Sequence, residues 1–480
     1  MRDRRGEMKK REIHESAESF IGDLAEFPLK VTPQVIKQNL LNMREMGGEQ
    51  FGLTKGAETA ALAQIPIQPA SVEDYRNIVG DKETQQLEKL AKPLNGLRLL
   101  QLSSTAFSPR VTDAIGVASA LMNYLGLQCS WQVIRPVEEF NQVNRLMYRA
   151  LEGYPVQWHK AIGDTWLKYN DMYARFFRQK YDIVIVHDHA GLAILSAMTN
   201  YNRGKRHLGK WIWSCHRELS IAPPDIWSLL YPHIRYYDAA IFDKESQVRG
   251  ELKSIYTGVI TPAIDPLNPR NAELSRKSIE GVLFQRGIDL GRPIISQVYP
   301  LDKAADPLGV IEIYHLVKER IPQVQLILVA PPRSDDMDTR DYFRQLAHQA
   351  ASDNDLHLLS TPEEVGNVEI NAIQQASQVV VQRSVGNGFG LTVADAMWSS
   401  RPVVGGRAGG MPLLIIDDET GFLVDDNHQA AERITYLLAN PQIANKMGRK
   451  ARQHIRQSFL ITRYVRDYLK LFQFMLSMRE

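Results

Sequence analysis

Short apolar segments alternate with amphipathic stretches from about residue 90 onward. This alternation predicts buried strands separated by helices, and so parallel sheets with helices on both faces. Strands are predicted at GLRLLQLSS (96–104), YDIVIVHD (181–188), KWIWSCH (210–216), YDAAIFD (237–243), RPIISQVYP (292–300), VQLILVAPP (324–332), LHLLS (356–360), ASQVVVQRS (376–384) and RPVVGG (401–406), and helices at VTDAIGVASALMNYLG (111–126) and PLGVIEIYHLVKERIP (307–322).

The Pro- and Asn-rich stretch PAIDPLNPRNAELS (262–275) interrupts this pattern and predicts an interdomain connection. We therefore expect two doubly wound α/β domains, residues 71–275 and 276–462, after an N-terminal helical extension at residues 1–70. In open α/β sheets, ligands bind beyond the carboxyl ends of the strands. The candidate functional segments are then SSTAFSPR, HDHAG, CHRELS, VYPLDKAADP and VGNGFGLT.

The composition adds few constraints. The chain has 480 residues, 44% hydrophobic and 23% charged, which suits a globular protein of two domains. A formal net charge of +2 disfavours binding to nucleic acid or anionic lipid. Cys129 and Cys215 have neither zinc nor disulfide-framework spacing, so two buried thiols are expected. The charged N-terminus lacks a signal pattern and no apolar run reaches 18 residues, so we expect a cytoplasmic protein without a membrane span.

The stretch VVVQRSVGNGFGLTVADAMW (379–398) predicts a strand, a glycine-rich loop and a helix. Gly386, Gly388 and Gly390 permit unusual backbone angles and close approach of another group. Thr392 is expected to cap the helix, whose free N–H groups favour an anion such as a diphosphate. On this pattern alone, a phosphate site and an ordinary tight turn are about equally good interpretations.

The longer stretch GFGLTVADAMWSSRPVVGGRAGGMPLLIIDDETGFLVDD (388–426) resembles the donor half of the retaining GT-B glycosyltransferases of family 4. It is most similar to the trehalose synthase and trehalose phosphorylase branch, which has the form EGFGLTVxEALW…PVxxxxxGGIPLQI. The resemblance covers roughly residues 70–480. It continues at DYRNIVGD, KWIWSCHRELS, PAIDPLNPRNAELS, GIDLGRPIISQVYPLDKAADPLGVIEIYHLVKERIPQVQLILV and FLITRYVRDYL.

The resemblance implies a GT-B fold, in which two Rossmann-like domains face each other across a cleft. A nucleotide-glucose (UDP-, ADP- or GDP-glucose) would bind the C-terminal domain and a sugar acceptor the N-terminal one. The last helix, residues 463–480, would cross back to the N-terminal domain. No metal or other cofactor is implied, because Lys and Arg side chains and a helix N-terminus neutralise the leaving diphosphate. A homodimer is a further expectation, since members of this branch often dimerise.

Several expected donor-site residues differ from the family pattern. The E-x7-E pair falls on Asn387 and Asp395, and Asn387 cannot stabilise positive charge at the anomeric carbon as a carboxylate would. The Arg and Lys of the segment SRFDPWKDP fall on Pro300 and Ala305. Lys303 and Arg383 are the cations expected to replace them. The resemblance also assigns the donor to Gly388, Phe389, Gly390, Leu391, Thr392 and Asp395.

The acceptor side shows a second set of differences. The loop NSTAYGGGVAE of the family is SSTAFSPRVTD here, so Ser108, Pro109 and Arg110 take the glycine positions. Pro109 offers no N–H group, whereas Arg110 could bind an anion. The family's HD and CH residues are kept. The resemblance therefore assigns catalysis to His187, Asp188 and Asn387, and acceptor binding to Ser108, Arg110, His216, Arg217 and Glu218.

Three functions stay open at this point. In the first, the chain is a hexosyltransferase, with a phosphorylase as a variant of the same chemistry. In the second, it keeps the fold as a non-catalytic binding, regulatory or scaffolding protein. In the third, Arg110, Arg217, Lys303 and Arg383 rebuild an anion site for another ligand. For His187 and His216, a hydrogen-bonded structural role is about as good an interpretation as substrate contact. Asp188 is alternatively a helix cap, and the tryptophans Trp211, Trp213 and Trp398 are core residues.

Overall fold

The structure is a computed structural model. It describes residues 62–104, 111–135, 137–177, 180–201, 209–299, 305–330, 337–360, 366–383 and 388–478.

The strands form two separate sheets. Their bounds are β1 Leu62–Ile65, β2 Arg98–Ser103, β3 Gln128–Ile134, β4 Ile183–His187, β5 Lys210–Cys215, β6 Ala239–Phe242, β7 Tyr256–Val259, β8 Ile294–Val298, β9 Gln325–Val329, β10 Leu356–Leu359, β11 Val379–Gln382, β12 Val403–Gly406 and β13 Gly421–Val424. The first sheet has the order β1-β3-β2-β4-β5-β6-β7 and the second β10-β9-β8-β11-β12-β13. All pairings are parallel except that of β1 with β3.

The α-helices of the described residues connect and cover these strands. They are α1 Arg76–Val79, α2 Asp81–Ala91, α3 Val111–Tyr124, α4 Glu138–Leu151, α5 Lys160–Phe176, α6 Ile194–Tyr201, α7 Pro224–Ile234, α8 Arg276–Phe284, α9 Pro307–Lys318, α10 Met337–Ala351, α11 Asn367–Ala376, α12 Leu391–Trp398, α13 Met411–Leu414, α14 Asn427–Ala439, α15 Pro441–Ser458 and α16 Ile461–Ser477. Short 3₁₀ turns lie at Val72–Tyr75, Lys92–Leu94, Glu245–Gln247 and Gly250–Leu252.

This architecture confirms the predicted fold class, a doubly wound α/β fold with two parallel sheets. Every strand predicted from the sequence is present, with bounds shorter by a few residues. The sequence reasoning missed β3, β7 and β13, and it placed Leu62–Ile65 in an extension of helical character. These four residues instead pair antiparallel with β3, because their alternating pattern buries one face of an added edge strand.

The last helix packs on elements that precede β3 in the chain. α16 buries a continuous apolar stripe against α2 and α3. An ion pair of 2.9 Å joins Arg466 of α16 to Glu83 of α2. Just before α16, Leu460 forms a parallel bridge with Ile264. The C-terminal segment is therefore held both by the connection and by the first sheet's helices.

The segment between the sheets is fixed by side chains of the second sheet's helices. Asn371 of α11 donates to the carbonyl oxygens of Pro269, at 2.9 Å, and Ala272, at 2.7 Å. Trp398 of α12 donates through Nε1 to the carbonyl of Asn271, at 3.2 Å. The buried indoles of Trp211, Trp213 and Trp398 confirm the expected core role. Both cysteines are buried free thiols, as predicted.

Candidate functional site

Three adjacent strands of the first sheet bring polar side chains together at their carboxyl ends. β4 ends at His187 and is followed by Asp188, β5 is followed by His216 and Arg217, and β6 by Asp243. The strands pair in parallel in the order β4-β5-β6, so their following loops meet at one edge of the sheet. We call this group of five residues the first-sheet cluster.

Two histidines of the first-sheet cluster lie edge to edge, with their rings nearly in one plane. The rings of His187 and His216 lie 5.4 Å apart between centroids with 9° between their planes. His187 Nδ1 is 3.1 Å from His216 Nε2. The outer nitrogens also have partners: His187 Nε2 lies 2.8 Å from Gln101 Oε1, and His216 Nδ1 lies 2.9 Å from Asp243 Oδ1. The four side chains thus form one continuous line of hydrogen-bonding groups.

Burial and neighbouring charge separate the two imidazoles. Burial disfavours the protonated form of His187, the nearby His216 adds to this, and the pKa of His187 falls to about 3. Burial also opposes protonation of His216, but the carboxylate of Asp243 outweighs it and raises the pKa of His216. Protonation is therefore disfavoured at His187 and favoured at His216.

Asp188 sits in the left-handed backbone region, with a φ of 60°. Its Oδ1 accepts from the backbone N–H of His216 at 2.9 Å, and its Oδ2 accepts from Arg217 Nη2 at 3.0 Å. Its carbonyl oxygen accepts from Trp213 Nε1 at 2.8 Å. Such a conformation costs on the order of 1–3 kcal/mol and persists only where contacts fix it. Asp188 is therefore held in place by the first-sheet cluster, and its carboxylate caps no helix.

The Asp188 carboxyl stays ionised despite its burial. Burial alone would raise its pKa, but Arg217 and His216 outweigh that effect and lower the pKa to about 2. Arg217 in turn lies over the ring of Tyr148 at 4.1 Å and approaches Glu152 Oε1 at 3.4 Å. Burial opposes the charge of Arg217, but Asp188, Tyr148 and Glu152 outweigh it and raise the pKa of Arg217. Protein groups therefore compensate the charge of Arg217.

Glu218 is also engaged within the protein. Its Oε2 lies 2.9 Å from Lys244 Nζ, in an ion pair that is more than nine-tenths buried on both sides. Its Oε1 accepts from the Ser220 hydroxyl at 2.7 Å. The acidic and basic side chains that follow β5 and β6 are thus paired with one another, which leaves little unbalanced charge at this edge.

The described part of the glycine loop of the second sheet, residues 388–390, is shaped by close backbone contacts. Gly390 has a φ of +90°, which favours glycine, and it is the N-cap of α12. A Cβ on Gly410 would overlap the carbonyl oxygen of Phe389, and the N–H of Gly410 donates to the Gly388 carbonyl at 3.0 Å. The loop is thus held against the start of α13.

Helix α12 begins without a side-chain cap, because its N-cap is a glycine. The prediction that Thr392 caps this helix is wrong: Thr392 is the second residue of α12, and its buried hydroxyl has no hydrogen-bond partner among the described residues. Leu391 is the first residue of the helix. The N–H of Val393 donates to the Gly390 carbonyl at 2.9 Å, and no side chain caps the N–H groups that precede it in the first turn, so this helix end favours an anion.

Two further predicted donor residues have protein partners. Asp395, on α12, is buried and lies 4.0 Å from Arg270 Nη1 of the interdomain connection. Arg383, which follows β11, donates through Nε to Asn427 Oδ1 at 2.7 Å. Asn387 and Lys303 lie outside the described residues, as do Ser108, Pro109, Arg110 and Pro300. Ala305 is buried, and its carbonyl accepts from Gln297 at 2.7 Å.

Sequence reasoning missed several residues of the histidine network. Asp243 ends the motif YDAAIFD, and Gln101 is the one amide inside the predicted buried strand GLRLLQLSS. A buried amide between apolar neighbours is unusual, since it requires hydrogen-bond partners. That pattern could have identified Gln101 as a partner of the site. Tyr468, which lies 3.1 Å from Ser214 Oγ, has no such sequence indication.

No group of three His, Cys, Asp or Glu side chains in the described ranges has metal-binding geometry. No helix in the same ranges is long and apolar enough to cross a bilayer.

Comparison with solved structures defines the class of fold. The chain superposes on a UDP-forming α,α-trehalose-phosphate synthase from Burkholderia xenovorans with a TM-score of 0.64 and 15% sequence identity. The match covers 80% of this chain and 100% of that one. At this identity the likeness shows the fold alone, and the fold is that of the GT-B glycosyltransferases.

Sequence comparison defines the family. Residues 101–249 match the family described as trehalose synthase, N-terminal domain, and residues 279–454 match glycosyl transferases group 1. Trehalose synthases from Pyrococcus horikoshii and Rubrobacter xylanophilus are 34% and 35% identical over 402 residues. Each match covers 83% of this chain and 95% of the relative. The chain belongs to the trehalose synthase family of GT-B glycosyltransferases.

Proposed function

We propose that this protein is a retaining, metal-independent hexosyltransferase that moves glucose from a nucleotide-glucose to a sugar acceptor, as a trehalose synthase does. Its main support is the identity of about one third to trehalose synthases across both domains. In the reaction, the bond from the anomeric carbon to the diphosphate breaks and a bond to an acceptor oxygen forms. The acceptor hydroxyl loses its proton, and a nucleoside diphosphate leaves.

The donor would bind at the start of α12. The N-terminal end of this helix has no side-chain cap and supplies positive potential for the diphosphate. The buried Thr392 hydroxyl and the Asp395 carboxylate are further polar groups of the same helix. We assign the donor to Lys303, Arg383, Gly388, Phe389, Gly390, Leu391, Thr392 and Asp395, with Asn387 facing the transferred sugar.

The acceptor would bind at the first-sheet cluster. His187 and Asp188 are proposed as catalytic residues with Asn387, and His216 as an acceptor contact with Ser108 and Arg110. Arg217 and Glu218, which are paired with Asp188 and Lys244, would shape this site through those ion pairs. The balanced charges favour a neutral sugar acceptor over an anionic one. We further propose that boundaries at residues 275 and 462 divide the chain, with the strand Leu62–Ile65 included in the first domain, and that the protein is a cytoplasmic homodimer.

Purified protein incubated with UDP-, ADP- or GDP-glucose and glucose tests the function. We expect release of the matching nucleoside diphosphate and formation of a non-reducing disaccharide with one of the three donors. Asp188→Asn should reduce turnover strongly, whereas replacement of the exposed His428 by Gln should not. Absence of turnover, together with absence of a thermal shift by any of the three donors, would refute the proposal.

A further inference from the structure

Three buried polar residues outside the proposed site contact the histidine pair or its neighbours. Gln101 in β2 exposes 4% of its surface, Ser214 in β5 2%, and Tyr468 in α16 2%. Burying a hydroxyl or an amide costs free energy unless it is hydrogen-bonded. Gln101 and Ser214 contact the imidazoles directly, and Tyr468 bonds both Ser214 and Tyr464.

Gln101 determines which nitrogen of His187 carries the proton. Its Oε1 lies 2.8 Å from His187 Nε2 and, as a carbonyl oxygen, can only accept. His187 Nε2 must then carry a hydrogen. Because His187 is neutral, its Nδ1 is bare and can only accept. The nitrogen 3.1 Å away, His216 Nε2, must then be the donor.

Asp243 completes the assignment from the other end. Its carboxylate accepts from His216 Nδ1 at 2.9 Å, so both nitrogens of His216 carry hydrogens. The hydrogen bonds therefore place one proton between the two rings, so the pair carries one positive charge. The burial that disfavours a protonated His187 assigns that charge to His216.

The last helix reaches the same ring through Ser214. Ser214 Oγ lies 3.3 Å from His216 Nε2 and 3.1 Å from Tyr468 Oη. If Ser214 donates its hydrogen to Tyr468, its lone pairs face the His216 N–H and stabilise the cation. Without the Tyr468 oxygen, the Ser214 hydrogen would be free to turn toward His216 Nε2 and favour the neutral ring.

We propose that Gln101, Ser214 and Tyr468 are positioning residues for the His187–His216 pair. They keep His216 doubly protonated, with its Nε2–H directed at a neutral His187 that is protonated only at Nε2. Through Tyr468 the C-terminal helix thereby contributes to the site of the first sheet. The inference concerns the residues to which the proposed function assigns the acceptor, but the proton distribution can be measured without turnover.

The charged and titratable groups around His216 come from several elements. Asp243 follows β6, Asp188 follows β4, and Arg217 is its chain neighbour. From α16, Tyr464 and Tyr468 face the same region, and both phenols are held neutral because burial raises their pKa. Asp243 and Asp188 favour the cation and Arg217 opposes it. The proposed network decides where the remaining proton lies between the rings.

The test is ¹⁵N NMR of protein labelled at histidine, with His187→Gln and His216→Gln used to assign the signals. We expect His187 to show a proton on Nε2 only and His216 protons on both nitrogens near neutral pH. Gln101→Leu should remove the Nε2-only pattern of His187. Tyr468→Phe should move the His216 titration to lower pH. Tyr237→Phe, which removes a buried hydroxyl bonded to the Leu192 carbonyl, should leave both signals unchanged.

Unchanged histidine signals in Gln101→Leu and Tyr468→Phe would overturn the inference. If the wild-type protein turns over a nucleotide-glucose, the pH profile gives a second measurement: Tyr468→Phe should shift it to lower pH and Tyr237→Phe should not. A protein that shows the predicted NMR pattern but no turnover would contradict the proposed function and leave the proton assignment supported.

Discussion

The carboxyl ends of the two sheets present opposite kinds of chemistry. At the first sheet, most acids and bases that follow β4, β5 and β6 are paired with one another, from Asp188–Arg217 to Glu218–Lys244, and the buried imidazole of His189 is the exception among the described residues. At the second, α12 starts at a glycine, with a buried Thr392 hydroxyl that has no partner in the described chain. The first edge is built from compensated charge, whereas the second offers backbone dipoles to a charged ligand.

Under the proposed function, this difference matches two unlike substrates, a neutral sugar and a nucleotide diphosphate. A neutral sugar is recognised by fixed hydrogen-bonding groups, and compensated charges hold such groups rigid without attracting ions. A diphosphate needs positive potential, which an uncapped helix start supplies without a side chain that must be desolvated. This comparison leads to four predictions, ordered by the size of the expected effect.

The largest effect is expected from Arg217→Ala. Removing the guanidinium leaves Asp188 buried without its main counter-charge, which typically costs about 3–5 kcal/mol. Chemical denaturation should show a corresponding loss in the free energy of unfolding. Arg145→Ala is the matched control, because it removes an exposed ion pair with Glu138 and should leave stability nearly unchanged. Equal effects of the two substitutions would contradict the compensated-charge description.

A second prediction concerns the backbone of the glycine loop. Gly410→Ala would place a methyl group against the Phe389 carbonyl oxygen. We expect the free energy of unfolding to fall by up to about 3 kcal/mol and the binding of nucleotide-glucose to weaken. The control is Gly281→Ala in α8, where a Cβ meets open space, and a gain of roughly 0.5–1 kcal/mol is expected. Thermal unfolding with and without donor separates the two effects. If Gly410→Ala changed neither stability nor donor binding, the close contact between Gly410 and Phe389 would not be needed for either property.

A third prediction follows from the lowered histidine pKa values. Burial lowers the pKa of His187 to about 3 and of His189 to about 4, below the ordinary 6.5. At a pH between 6.5 and these folded pKa values, the unfolded chain binds protons that the folded chain does not bind. The free energy of unfolding therefore falls as the pH drops below 6.5. Each histidine should lower the free energy of unfolding by up to about 2 kcal/mol between pH 6.5 and pH 5.

The raised pKa of His216 acts in the opposite window. Its contribution is complete below 6.5 and is lost as pH rises through its folded value. The free energy of unfolding, measured from pH 8 to pH 4, should show an acidic limb from His187 and His189 and an opposite limb at higher pH from His216. His189→Gln should flatten the acidic limb, whereas His428→Gln, at an exposed position, should not. An acidic limb that is the same in His189→Gln and the wild type would refute this account.

The smallest effect on stability is expected from Thr392→Val. The Thr392 hydroxyl is buried without a partner, so replacing it by a methyl should change the free energy of unfolding by less than about 1 kcal/mol. If this hydroxyl contacts the donor, KM for nucleotide-glucose should rise about tenfold, the typical value of one lost hydrogen bond. Thr435→Val is the control, since that hydroxyl bonds within α14. An unchanged KM would remove Thr392 from the donor site.

Much of the fold was predictable because buried parallel strands have a clear sequence pattern. Runs such as IVIV in β4 and LILV in β9 are apolar on both faces, as strands covered by helices must be. The strands that were missed carry weaker patterns. β1 and β7 are edge strands with partly exposed residues, and β3 alternates polar and apolar positions. Edge strands bury less surface, so their sequences are less constrained.

The site was predictable only in part. His187, Asp188 and His216 were identified because they follow strands and match a family motif, and the structure places them together. Asp243 and Tyr468 were not, because β6 and α16 become neighbours of His216 only through the fold. Thr392 was assigned a capping role on residue type alone. The N-cap is instead Gly390, directly before the first helical residue Leu391, and no pattern of side chains reveals its positive φ.

The sequence by itself determined the two parallel sheets, the connection near residues 262–275 and the membership of a glycosyltransferase family, because these depend on hydrophobic periodicity and on local motifs. Only the tertiary structure decided the charge state of the site. Whether a histidine is neutral or cationic depends on burial and on partners such as Gln101 and Asp243, which lie 86 and 27 residues away from the rings that they contact. Hydrogen bonds and charges act over a few ångströms of space, and chain distance carries no information about them.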